Sequence, residues 1–266
     1  MGILNLTEDS FFAGSRLLTA EGRLDEALFR SRVERMLSEG ADILDLGAVS
    51  TRPGASDVSE EEEWRRLAPA LHILREEFPS ARISADTTRS GIVRKVFDVI
   101  GPFIVNDISA GEDDPLMLET VAGLHLTYVA MHKRGTPATM QSLTAYPEGV
   151  VASVRDYFRC FAGRADSLGL RDWILDPGFG FAKTVEQNYE LLGGLSGFRD
   201  FGKPVLVGVS RKSMIYQPLG ITPNEALAPT QVVHYMVLEA GADILRVHDV
   251  APASQTVALY RRRSEV

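Results

Sequence analysis

The stretch Glu39-Gly40-Ala41-Asp42-Ile43-Leu44-Asp45-Leu46-Gly47 has a near twin late in the chain, Ala240-Gly241-Ala242-Asp243-Ile244-Leu245-Arg246-Val247. In each, a segment of helical period stops at a glycine and a short apolar run follows. Glycine readily takes the left-handed conformation that ends many helices, so each phrase reads as helix, turn and next strand. Apolar runs of strand length recur at Gly2–Leu4, Asp42–Leu46, Arg82–Ala85, Phe103–Val105, Thr127–Met131, Trp173–Leu175, Pro204–Val207 and Ile244–Val247. Helix candidates lie between them, near 23–39, 60–78, 89–98, 115–122, 148–168, 184–195, 223–240 and 252–262, with a further short helix after Arg211. Runs that are apolar throughout mark parallel strands buried on both faces. Eight such strand–helix pairs are the number that closes a barrel, so the expected fold is a single-domain (β/α)8 TIM barrel over residues 1–266. An open doubly wound sheet is the alternative, but it usually has fewer strands and a Gly-rich first turn, which Gly2-Ile3-Leu4-Asn5 does not supply.

Composition agrees with this reading. The 266 residues are 45% hydrophobic and 24% charged, the range of globular domains with a full core. A formal net charge of −8 argues against nucleic acid or an anionic membrane as a partner, though local cations can still serve an anionic substrate. Cys160 is the single cysteine, and no run resembles a signal peptide or a membrane span, so a cytoplasmic location is expected. Ser59 with Glu62, and Thr184 with Gln187, read as capping boxes. Asp114-Pro115 reads as a cap residue ahead of proline in the first helical turn. Because the first strand starts at Met1, the barrel bottom is expected to lack an N-terminal cover.

The polar residues at or just past the strand ends are Asn5, Asp45, Asp86, Asn106, His132, Asp176, Ser210-Arg211-Lys212 and Arg246 with His248. Each alone could be a turn or cap residue. Together they ring the C-terminal mouth of a parallel barrel, where barrel active sites sit. Asp86, Asp176 and Asn106 suit the N–H edge of a fused amino-oxo heterocycle, with Lys212 facing its acceptors. Arg246 and His248, alternate residues on one side of an extended segment, could join Asn5 in holding a diphosphate and its Mg²⁺. Arg52, in a turn preset by Pro53, suits a carboxylate or phosphate, and the glycine loop 176–181 presents Phe181 beside the mouth. Gly208 through Ser213 is not spaced as a P-loop, and His132 is read as a structural histidine.

These motifs resemble the dihydropteroate synthases along nearly the whole chain. The matching stretches are Met1–Asn5, Gly40–Gly47, Ser50–Ala55, Asp86-Thr87, Asn106–Ser109, Met131-His132, Arg134–Pro137, Met140-Gln141, Leu175–Gly180, Lys183–Asn188, Ser210–Ser213 and Arg246–Asp249. The resemblance implies condensation of a dihydropterin pyrophosphate with p-aminobenzoate through a pterin methylene cation, with Mg²⁺ as cofactor. It implies that Asp86, Asn106, Met131, Asp176 and Lys212 hold the pterin, and that Asn5, Thr51, Arg246 and His248 hold the diphosphate, with Asn5 on the metal. It implies a p-aminobenzoate site of Thr51, Arg52, Pro53, Phe181 and Ser213. Asp86, Asp176, Lys212, Arg246 and His248 would carry the catalysis.

Three residues depart from the family pattern: Glu8 replaces a proline, Ala13 replaces an aspartate of the first loop, and Val49 stands where a glutamate usually precedes Ser50. The phrase from Ile3 to Phe12 looks like that of sulfonamide-insensitive members, but the loop from Ser50 to Ala55 keeps its ordinary length. The expectation is an active, sulfonamide-sensitive enzyme. A degenerate pterin-binding paralogue without activity is one rival. A methyltetrahydrofolate-type methyltransferase is another, although it would need neither the Thr51–Gly54 loop nor the Ser210–Ser213 loop. The family suggests a homodimer through late helices, for which the apolar stretch around Val232, Tyr235 and Met236 is a candidate.

Overall fold

The computed structural model describes residues 1–7, 17–19, 22–50, 58–136 and 139–264. Among the described residues, eight strands alternate with helices. The first half runs β1 (Gly2–Asn5), α1 (Glu26–Ser38), β2 (Ile43–Gly47), α2 (Glu60–Glu77), β3 (Arg82–Asp86), α3 (Ser90–Ile100), β4 (Ile104–Asp107) and α4 (Met117–Gly123). The second half runs β5 (Thr127–Met131), α5 (Val150–Ser167), β6 (Trp173–Asp176), α6 (Val185–Gly193), β7 (Leu206–Val207), α7 (Ser213–Leu219), α8 (Leu227–Glu239), β8 (Ile244–Leu245) and α9 (Val250–Ser264). Strands β1 to β6 pair in chain order, all parallel, and β7 pairs with β8. Parallel bridges Leu175↔Val205 and Gly2↔Val247 join the two groups. The second is hydrogen-bonded from Ile3 N to Val247 O (3.0 Å) and from Val247 N to Met1 O (2.9 Å), which closes the barrel. The expected (β/α)8 fold is therefore present, and no helix among the described residues is long and apolar enough to cross a membrane.

The two faces of the strands do different jobs because side chains alternate along a strand. Leu44, Leu46, Ala85, Val105, Tyr128, Ala130, Leu175, Val205 and Val207 point to the helices and join the large core. Met1, Ile43, Ile104, Val129, Ile174 and Leu206, with Ile244, form a second, smaller cluster that fills the barrel's interior at its N-terminal end. Apolar side chains thus plug the interior from below, and the polar residues stand on top of them.

The helix starts refine the sequence reading. Thr184 and Gln187 form the full capping box. Ser59 Oγ accepts from Glu62 N (3.2 Å), but the Glu62 carboxylate is held by Arg65 and Arg66 and sits low, near pKa 2. Asp114 Oδ1 accepts from Leu116 N (2.9 Å) in the turn that leads into α4, whose regular helix starts at Met117. Its Oδ2 accepts from Ser90 N (2.7 Å), the first residue of α3, whose own cap position, Arg89, offers no side-chain bond. Gly40 (φ +94°) and Gly241 (φ +101°) make the two matching left-handed turns.

Candidate active site

Five side chains of the inner plug are followed, two residues on and on the same face, by a residue of the mouth. Asp45 stands above Ile43, Asn106 above Ile104, Met131 above Val129, Asp176 above Ile174 and Arg246 above Ile244. Strand register sets Asp86 beside Gly47 and Asn106, and Asn5 beside Gly47. Gly47 faces inward as well: a Cβ there would lie 3.5 Å from Asp86 Cβ and 3.8 Å from Asn5 Oδ1. The corresponding glycine on the far wall, Gly208, lies between Arg246 and Lys212, and a Cβ there would lie 3.8 Å and 3.9 Å from them. Two bare positions thus leave room between the charged groups.

Arg246 spans two carboxylates. Its Nε donates to Asp45 Oδ2 (2.6 Å) and its Nη2 to Asp86 Oδ2 (2.8 Å). Asp45 also accepts from Ser84 Oγ (2.6 Å) and from Asn106 Nδ2 (3.2 Å to Oδ2). Asp45 lies within β2, as the apolar run Asp42–Leu46 implies, and is fully buried. Burial pushes the Asp86 carboxyl up to about 7, although Arg246 opposes the rise. The two carboxylates hold the guanidinium charged against the cost of burial.

Opposite them is the loop from Asp176 to Lys183. Asp176 is raised by burial, with Lys212 pulling it back, and its Oδ1 accepts from Gly178 N (2.8 Å). Gly178 (φ +72°) has no substitute here, since a Cβ would lie 2.0 Å from His132 O. Lys212 donates to Phe179 O (2.5 Å), and its Nζ lies 4.9 Å from the centroid of the Phe181 ring. Burial lowers its ammonium to about 8 against the pull of Asp176. A second lysine, Lys183, backs the loop from inside the protein. It donates to Gly178 O (2.9 Å) and Phe181 O (3.1 Å) and meets His132 Nδ1 at 3.0 Å. His132 lies behind the site and, desolvated and next to Lys183, is held neutral near pKa 2.

The turn after β7 separates three neighbours. Arg211 (φ +54°) points away and clasps Asp249 through two bonds of 2.7 Å and 3.0 Å. This leaves Lys212 aimed at the mouth and Ser213 as the first residue of α7. His248 Nδ1 lies 3.1 Å from Ser210 Oγ, with its side chain exposed at the rim. Asn5, Asp86, Asn106, Met131, Asp176, Lys212, Arg246 and His248 therefore share one end of the barrel. Thr51, Arg52 and Pro53 lie outside the described residues, as do Glu8 and Ala13. Asp45 and Lys183 are the residues to which sequence reasoning assigned no role. A charged residue at an inward position of a buried strand was the available signal for Asp45.

Among the described residues, no group of three or more His, Cys, Asp or Glu side chains could hold a metal ion. The Asn5 amide oxygen fits only a hard cation that brings most of its own shell as water and substrate oxygens, which is the habit of Mg²⁺. A cavity of about 520 Å³ at the opposite end, lined by Phe78, Arg82, Ile104 and His125 among others, includes none of these residues.

The family model described as "Pterin binding enzyme" matches residues 1–248. The dihydropteroate synthase of Haemophilus influenzae is 40% identical over 263 residues, covering 98% of this chain and 92% of its own. The dihydropteroate synthase of Yersinia pestis, solved with a sulfonamide drug, is 34% identical with a TM-score of 0.90, covering 100% of this chain and 94% of its own. That of Xanthomonas albilineans, solved with 4-aminobenzoic acid, is 33% identical with a TM-score of 0.87, covering 100% of this chain and 92% of its own.

Proposed function

This chain belongs to the pterin-binding enzyme family, and within it to the dihydropteroate synthases, transferases of folate synthesis; from that premise we propose how its own residues divide the reaction. Asp86, Asn106, Asp176 and Lys212 bind the pterin ring, with Met131 beneath it. The carboxylates accept the ring's N–H protons, the Asn106 amide adds a further contact, and Lys212 donates to the ring's acceptors. Arg246, His248 and Asn5, joined by Thr51, bind the diphosphate. Thr51, Arg52, Pro53, Phe181 and Ser213 form the p-aminobenzoate side. The observation that carries this division is the gathering of charge at one barrel end: Arg246 is bonded to Asp86, and Asp176 and Lys212 act on each other's ionisation beside it.

The bond between the pterin methylene carbon and the diphosphate oxygen breaks, and its electron pair leaves on the oxygen. The methylene cation is stabilised by the ring, whose positive charge faces Asp86 and Asp176. The neutral arylamine then gives its lone pair to carbon and loses a proton to solvent. No strong base is required, so positioning and charge stabilisation supply the rate. Arg246 and His248 orient the departing diphosphate. Mg²⁺, when bound at Asn5, supplies further charge neutralisation to that group. We further assign the protein to the cytoplasm and read it as a homodimer. Exposed Val232 (61%) and Met236 (41%) on α8 and Leu259 (69%) on α9 support the latter reading, since exposed apolar side chains favour burial.

The direct test is incubation with dihydropterin pyrophosphate, p-aminobenzoate and Mg²⁺. Formation of 7,8-dihydropteroate and pyrophosphate is expected, and pterin binding without product would favour the degenerate paralogue. A sulfonamide should compete with p-aminobenzoate, with an inhibition constant near the KM for p-aminobenzoate. A constant far above that KM would overturn the sensitivity.

A further inference from the structure

Of the two carboxylates bonded to Arg246, only Asp86 has a part in the proposed reaction. Asp45 is fully buried, one layer beneath the mouth. A carboxylate in that position is costly unless it is fully bonded. Its partners are Arg246 Nε (2.6 Å), Asn106 Nδ2 (3.2 Å) and Ser84 Oγ (2.6 Å), so it ties the guanidinium to the amide. Arg246 places a second nitrogen, Nη2, on Asp86 Oδ2 at 2.8 Å. The two counter-ions are not equivalent. The Asp86 side chain is 18% exposed and faces the mouth, whereas Asp45 is 0% exposed and sealed beneath it.

We infer that Asp45 is a positioning residue: it anchors Arg246 while Asp86 exchanges the guanidinium for the pterin ring, and the arm thereby freed turns to the diphosphate. This rests on the proposed assignment of the pterin to Asp86. A ring N–H arriving at Asp86 competes for the same carboxylate that Nη2 now occupies. If Asp86 were the sole counter-ion, Arg246 would either block the ring or lose its charge partner when the ring bound. Asp45 removes that conflict, because the Nε bond persists through the exchange. The consequence is positive coupling. Pterin docking raises the affinity for diphosphate, and by reciprocity diphosphate raises the affinity for pterin. Asp45 also keeps the Asn106 amide oriented for the ring.

The test uses two probes that cannot react, 6-hydroxymethylpterin and inorganic pyrophosphate with Mg²⁺, titrated calorimetrically alone and together. In the unaltered protein the pterin should tighten pyrophosphate binding by about tenfold. In Asp45→Asn, nearly identical in shape, Arg246 falls back on Asp86. The coupling should vanish, and pterin affinity should drop by about tenfold with the KM for p-aminobenzoate unchanged. An Asp45→Asn protein that keeps both the coupling and the pterin affinity overturns the inference. So does a uniform loss for pterin, pyrophosphate and p-aminobenzoate together with a lowered Tm, which would mark a packing role alone. Should Asp45→Asn fail to fold, Ser84→Ala removes one bond to Asp45 and should reduce the coupling in the same direction; undiminished coupling there overturns the inference. An unaltered protein that binds no pterin overturns the site assignment itself, a result distinct from normal binding without coupling.

Discussion

At the mouth, the proposed pterin contacts Asp86 and Lys212 have acid–base properties that would set the pH window of binding. Burial raises Asp86 to about 7, and its carboxylate must be ionised to accept a ring N–H. Burial lowers Lys212 to about 8, and its ammonium must be charged to donate. Pterin affinity should therefore weaken as pH falls through about 7, when Asp86 gains its proton, and again as pH rises through about 8, when Lys212 loses one. A fluorescence titration of 6-hydroxymethylpterin across pH measures this. Asp86→Asn should remove the acid limb and Lys212→Met the alkaline limb, each with weaker binding, and a flat profile for the unaltered protein would contradict both assignments. The identities of these residues were legible in the sequence, because each ends or follows an apolar run. Their bonding was not. The Arg246–Asp45 pair joins residues 201 positions apart, and spacing carries no information about such a contact. Lys183 escaped for a similar reason: it follows the glycine loop as an ordinary helix-flanking lysine, and only the folded loop brings two carbonyls and His132 around it.

Among the elements, the loop between β6 and α6 is the most constrained. Gly178→Ala would place a methyl 2.0 Å from His132 O at a φ of +72°, so both the backbone and the neighbouring strand end resist it. The variant should lose more than about 3 kcal/mol in urea denaturation and bind pterin poorly, since Asp176 leans on Gly178 N. Gly208→Ala is the contrasting case: its Cβ would meet only Arg246 and Lys212, at 3.8 Å and 3.9 Å. It should melt within about 0.5 kcal/mol of the unaltered protein, as a tolerated substitution does, yet lose pterin affinity because it fills the mouth. The strands themselves were legible from runs of Ile, Val and Leu. Ends were less so: β2 runs on to Gly47, one residue past the apolar run, and β7 and β8 keep two residues each. Local caps were readable where donor and acceptor sit three residues apart, as at Thr184 and Gln187. Asp114 was read in part: one carboxylate oxygen holds its own turn, but the other caps a helix 24 positions earlier, which spacing does not reveal.

For the whole molecule, the fold class followed from counting strand–helix pairs, while the assembly state did not, because an exposed apolar patch and a buried one look alike in sequence. Val232→Asp places a charge on the exposed face of α8. If that face pairs with a second copy, sedimentation velocity should show a shift from dimer to monomer, with the folded state unperturbed as is usual for exposed positions. An unchanged dimer would move the interface elsewhere. The way the barrel closes has a temporal consequence. During synthesis the acidic half of the mouth emerges early, on β2 and β3, and the arginine that balances it arrives only with the residues after β8. A nascent chain should therefore keep its strand edges unpaired and its carboxylates uncompensated until ring closure joins Gly2 to Val247. Such long-range closure is slow and exposes the intermediate to aggregation. Ribosome-stalled chains that stop short of Arg246 should therefore be protease-sensitive throughout, and resistance should appear in one step once the final strand has cleared the exit tunnel.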